Sequence, residues 1–110
     1  MQHEVTERDG RLVVSLAGDI DLESSPQARK VLLECVGRKC AVFADLSRVT
    51  YIDSSGVASL VESLQTARKG GTAFALAAVS ESAMRVLQLA RLDKVFTIYP
   101  TVEDGLTHSG

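Results

Sequence analysis

Asp45-Leu46-Ser47-Arg48-Val49-Thr50-Tyr51-Ile52-Asp53-Ser54-Ser55-Gly56-Val57 joins the end of an apolar run to the start of a helical pattern, and the fold is read from both sides of it. Upstream, Cys40 to Leu46 is short and nearly continuously apolar, which predicts a strand covered on both faces, as in a parallel sheet. Downstream, Val57, Leu60, Val61 and Leu64 recur at helical spacing, with Gly70-Gly71 as the stop. The polar residues between them form a loop outside the carboxyl end of a strand, where open α/β sheets place their sites.

Further upstream, His3 to Arg8 and Leu12 to Ala17 flank Asp9-Gly10, a pair suited to a two-residue hairpin turn with positive φ at both positions. After Gly18-Asp19-Ile20-Asp21 the period changes. Ala28, Val31, Leu32, Cys35 and Val36 then mark one face of a helix, with Ser25 as its cap, Pro26 in its first turn and Gly37 at its end. Beyond the central stretch, Thr72 to Val79 reads as a second buried strand. Ser80 caps a third helix through Ala83, Val86, Leu87 and Ala90, and Val95 to Tyr99 gives a last strand. Thr101 to Leu106 gives a final helical turn or two.

The order β-β-α-β-α-β-α-β-α predicts one α/β domain, with parallel strands joined by right-handed crossovers and a mixed sheet opened by an N-terminal hairpin. Its core is expected over residues 3–106, and residues 107–110 form a polar tail expected to fray.

With 110 residues, 45% of them hydrophobic and 24% charged, the chain suits a single globular domain. A net charge of -2 gives no electrostatic footprint for nucleic acid. No apolar run reaches bilayer length, and Met-Gln-His-Glu-Val lacks the pattern of a secretion signal, so a cytoplasmic address without membrane insertion is expected. Cys35 and Cys40 are too few for a disulfide framework, lack C-x-x-C spacing and read as core residues. An enzyme is not expected. There is no G-x-S-x-G elbow, no phosphate loop and no G-x-G-x-x-G, and His3 and His108 lie in terminal segments. Neither a cofactor nor a metal ion is implied.

At the helix start, Asp53 or Ser54 can cap unpaired N–H groups, and the positive end of the helix can accommodate a phosphate on Ser55 in the first turn. Gly56 offers a bare backbone for close approach by a partner. Val57 or Ala58, if exposed, would add an apolar anchor. Asp19 and Asp21 suit an Asx turn, with Asp21 also placed to touch a partner, and Ser47 and Thr50 read as turn formers.

These residues, Asp45-Leu46-Ser47 through Asp53-Ser54-Ser55-Gly56-Val57 with Gly18-Asp19-Ile20-Asp21 upstream, resemble the STAS domain of bacterial anti-sigma-factor antagonists. The resemblance extends from about His3 to Leu106. It implies a two-state regulator whose unphosphorylated form binds an anti-sigma factor that is also a serine kinase, releasing a sigma factor. Phosphorylation of the motif serine, here Ser55 with Ser54 as a minor alternative, then ends binding, and a serine phosphatase of the PP2C type resets the cycle. Asp21, Asp53, Ser54, Ser55, Gly56 and Val57 are the implied partner-binding positions, on a chain that is monomeric when free and heteromeric in complex. A second reading within the same resemblance is an accessory subunit that binds the ATPase of a lipid-transporting ABC system. The paired serines before Gly56 favour the phosphoswitch.

Overall fold

The computed structural model describes residues 1–108. Asp9 and Gly10 turn with φ of 55° and 79°, as the Asp-Gly pair requires, and join β1 (Gln2–Arg8) to β2 (Arg11–Ile20) in an antiparallel hairpin. The chain continues through α1 (Ser25–Val36), β3 (Val42–Ile52), α2 (Ser54–Gly70), β4 (Phe74–Ala77), α3 (Glu81–Leu89), β5 (Ile98–Tyr99) and α4 (Val102–His108). The five strands lie in sequence order, and every pairing after the hairpin is parallel. The expected element order and mixed sheet are thus present.

Alternation along the strands divides the sheet between two layers. Leu12, Val14 and Leu16 of β2 and Val42, Ala44 and Leu46 of β3 join Ala28 and Leu32 of α1, Leu60 and Leu64 of α2, and Leu87 of α3 in the main core. On the opposite face a smaller cluster of Val13, Phe43 and Ala75 is closed by Leu106 of α4. Gly105 allows that helix to lie close, since a side chain there would meet the Phe43 and Tyr99 rings at 3.0–3.1 Å. Cys35 is buried, and Cys40 is half-buried against the main core.

Several boundaries differ from the sequence reading. β3 does not end at Leu46; it continues to Ile52 through the expected loop, pairing with β2 across two register shifts. Each shift adds a residue on β3, so Leu46, Val49 and Ile52 turn inward at a spacing of three while Ser47, Arg48, Thr50 and Tyr51 face solvent. Ser47 and Thr50 are therefore strand residues and not turn formers. β4 stops at Ala77 because Ala78 takes φ of 50°, and β5 is delayed because Val95 and Phe96 donate to the Leu92 carbonyl in the turn after α3. Ala90 lies just past the end of α3 and is exposed. Ser25 is the first helical residue of α1 and is buried; Ser24 holds the cap position without a side-chain cap bond. The last helix keeps Thr107 and His108, with the His108 ring stacked on Tyr99, so the tail does not begin at 107; residues 109–110 lie outside the described residues.

Candidate functional site

Ile20 and Ile52 are register partners at the ends of β2 and β3. Each of these parallel strands is followed by a helix, so α1 and α2 both start at the same edge of the sheet. The β2–α1 turn and the start of α2 are tied together there by the Asp53 N–H, which donates to the Ile20 carbonyl at 3.2 Å. Asp19, Asp21, Thr50, Asp53, Ser54 and Ser55 lie at or beside this edge, whereas Ser47, five residues before Ile52 on β3, lies with Asp45 and Arg48 beside β1.

Asp53 is the cap of α2, with extended φ and ψ of -108° and -173°. Its Oδ1 accepts from the Ser55 N–H at 2.9 Å and the Gly56 N–H at 3.3 Å, satisfying two donors that the helix leaves open. The Ser55 hydroxyl donates to the same oxygen at 2.5 Å. That hydroxyl bond comes first in holding the Asp53 carboxyl below its ordinary range; burial opposes it, and the N–H groups of Gly56, Ser55 and Leu22 add to the lowering. Ser54 is exposed and Ser55 half-buried.

The lowered pKa fixes a pH dependence. An ionised Asp53 stabilises the folded chain fully above the ordinary carboxylate value of 3.8, and that contribution is lost as pH falls below it through the depressed folded value. Asp53→Ala is expected to lower the melting temperature at pH 7 and to flatten the acid limb of a stability–pH curve, whereas Asp53→Asn keeps most of the cap but loses the acid dependence. Thermal melts between pH 2 and pH 7 check this; an unchanged acid limb in Asp53→Asn would refute it.

Asp21 forms the expected Asx turn. Its Oδ1 accepts from the N–H groups of Glu23 at 3.1 Å and Ser24 at 3.0 Å, and the Ser24 backbone bond is the main reason its carboxyl is also held low. Asp19 accepts from the Thr50 hydroxyl at 2.6 Å, across the second register shift. A shallow hollow of about 580 Å³ opens among Asp19, Asp21, Glu23 and Thr50. The rim of this hollow, on the turn before α1, is therefore acidic.

Two of the expected contact residues point inward. Gly56 is buried, and a Cβ there would lie 2.7 Å from Ile52 Cγ1, 2.8 Å from Ile20 Cγ2 and 3.0 Å from the Ile20 carbonyl oxygen. Its lack of a side chain lets α2 seat on the strand ends, so the bare backbone faces the core and not a partner. Val57 is 7% exposed and belongs to the main core, which corrects its reading as an exposed anchor, whereas Ala58 is exposed.

The sequence reading missed Leu22, which is 78% exposed between Asp21 and Glu23, and Tyr51, 52% exposed on β3. A leucine isolated in an acidic turn is the signal that could have marked the first. The second was hidden by assigning its segment to a loop. Among the described residues no cluster of His, Cys, Asp and Glu could hold a metal ion, and no helix is long and apolar enough to cross a membrane.

The family model described as STAS domain matches residues 2–105. An anti-sigma-F factor antagonist, RsfB, of Mycobacterium tuberculosis is 30% identical over 94% of this chain and 84% of its own length. The anti-sigma-B factor antagonist of Bacillus subtilis is 26% identical over 94% of each chain. A crystal structure of an anti-sigma factor antagonist from Mycobacterium paratuberculosis superposes with a TM-score of 0.87 at 32% identity, covering 97% of this chain and 92% of that one.

Proposed function

Since this chain belongs to the STAS domain family, we propose that it is an anti-sigma-factor antagonist, a regulatory binding protein whose docking face is the edge around Ser55 and whose off-switch is phosphorylation of that serine. The observation that carries this reading is the Ser55 hydroxyl, held at 2.5 Å by the capping carboxylate of Asp53 at the start of a helix. Unmodified, the serine is one neutral donor in a small polar patch. Phosphorylated, it carries about -1.5 to -2 charges beside Asp53, with Asp21 on the neighbouring turn, and its oxygen no longer donates to Asp53.

The partner is an anti-sigma factor that also acts as a serine kinase on Ser55, and a PP2C-type phosphatase restores the free hydroxyl. Leu22 supplies the apolar anchor that buried Val57 does not, while Asp21, Asp53 and Ser54 surround it with acceptors and donors suited to a polar rim. Gly56 and Val57 act indirectly, by fixing where α2 begins.

The test is phosphosite mapping by mass spectrometry of the peptide from Val49 to Arg68, in chain recovered from its native cells during growth and stress. Phosphate on Ser55 whose occupancy changes with condition is the expected result. A peptide unmodified under every condition would sink the switch and favour a constitutive subunit, such as the accessory chain of a lipid-transporting ABC system.

A further inference from the structure

From Ser55 a groove of about 300 Å³ runs back between α1 and α2. Ser55, Ser59 and Glu62 lie on its α2 wall at the spacing of one helical face, and Ser25 and Arg29 lie on its α1 wall. Arg29 bridges the groove to Glu62 in a two-pronged pair, Nε to Oε1 and Nη2 to Oε2, both at 2.7 Å. This pair is open to solvent, with the two side chains 53% and 42% exposed. The pair is bidentate but open to water and screened by salt, so a phosphate carrying nearly two charges can compete with the single charge of Glu62 for the guanidinium.

The positions of the two helices make Ser55 the alternative. Both helices start at the same sheet edge, and Arg29 and Ser59 each lie one turn beyond the first groove residue of their own helix. Along α2, Glu62 lies about 4.5 Å of helical rise beyond Ser59 and Ser55 about 6 Å before it, and all three line the same groove as Arg29. A phosphate on Ser55 is repelled by Asp53, whose hydrogen bond from the serine is gone, and the side away from Asp53 is the groove. A guanidinium fork matches phosphate oxygens bidentately and carries the opposite charge.

The geometry points to Arg29 as the binding residue for a phosphate on Ser55: the guanidinium leaves Glu62 and closes on the phosphate within the α1–α2 groove. This rests on the reading of Ser55 as phosphoacceptor. The exchange leaves the Glu62 carboxylate unpaired two turns along α2, so modification at the helix start alters the charge pattern of the whole groove.

The test uses full-length chain with phosphoserine installed at position 55 during synthesis, so its outcome does not depend on a kinase reaching Ser55; the mass-spectrometric map decides that separately. The second ionisation of the phosphate, followed by ³¹P NMR, is expected at a pH lower by about half a unit or more with Arg29 present than in Arg29→Gln, with Arg29→Lys in between. The Arg29 Nε–H signal adds an independent readout. In the unmodified chain it should move on Glu62→Gln, and in the phosphorylated chain it should not. Superimposable titrations for the parent and Arg29→Gln, or an Arg29 signal that still answers to Glu62→Gln after phosphorylation, would overturn the assignment.

Discussion

Ser55→Asp is expected to weaken binding to the anti-sigma partner by about 100-fold or more, equivalent to about 2.8 kcal/mol, while the domain stays folded. The loss follows from replacing a neutral donor at the docking edge by a carboxylate that binding must strip of water beside Asp53, and an uncompensated buried charge costs several kcal/mol. The fold is spared because an added anion in the first turn of α2 is favoured by the helix terminus. Ser54→Asp, on the exposed neighbour with no side-chain bond to Asp53, should weaken binding less than tenfold. Ser55→Ala should bind like the parent but resist being switched off. Calorimetric titration with the purified partner, beside circular-dichroism melts of each variant, separates these effects. The prediction is wrong if Ser55→Asp binds as the parent does, or if it melts the domain.

Gly56→Val should unfold the domain or leave it barely stable, and Gly56→Ala should cost about 1–3 kcal/mol despite the better helix propensity of alanine. The atoms that a Cβ would meet belong to Ile20 and Ile52, each 1% exposed, and to the Ile20 backbone. None of them can move without shifting the strand ends on which the site is built. Gly70 provides the control, since its Cβ would meet only the flexible end of Lys39, at 2.9 Å from Nζ, so Gly70→Ala should be neutral or stabilising. Urea denaturation of the two alanine variants gives the comparison. If Gly56→Ala proved as stable as Gly70→Ala, the close seating of α2 on the strand ends would not be limiting.

The parts of the molecule that were legible in the sequence are those decided by local chemistry. Asp9-Gly10 announced its turn because few other pairs take positive φ twice, and the cap of α2 was narrowed to Asp53 or Ser54, of which the fold uses Asp53, whose carboxylate finds the N–H groups two and three residues on. What escaped depends on residues distant in the chain. β3 was cut short because bulges against β2 replace alternation by the three-residue spacing of Leu46, Val49 and Ile52, which no period-two template detects. Gly56 was read as open to partners because one of the two residues it packs against, Ile20, lies on β2, far from α2 in the chain. The Arg29–Glu62 pair joins two helices whose proximity only the folded sheet creates.

The chain has no tryptophan and two tyrosines, and the fold sends them to separate places. Tyr99 packs against Phe43, with ring centroids 6.1 Å apart, under α4 on the far face of the sheet. Tyr51 stands in solvent near the end of β3, beside the acidic rim. Intrinsic ultraviolet emission therefore comes from two reporters with different subjects, one sensing the integrity of the small rear cluster and the other sensing what approaches the front edge. A single Tyr99→Phe exchange would leave an optical probe of docking alone, with no dye attached near Ser55.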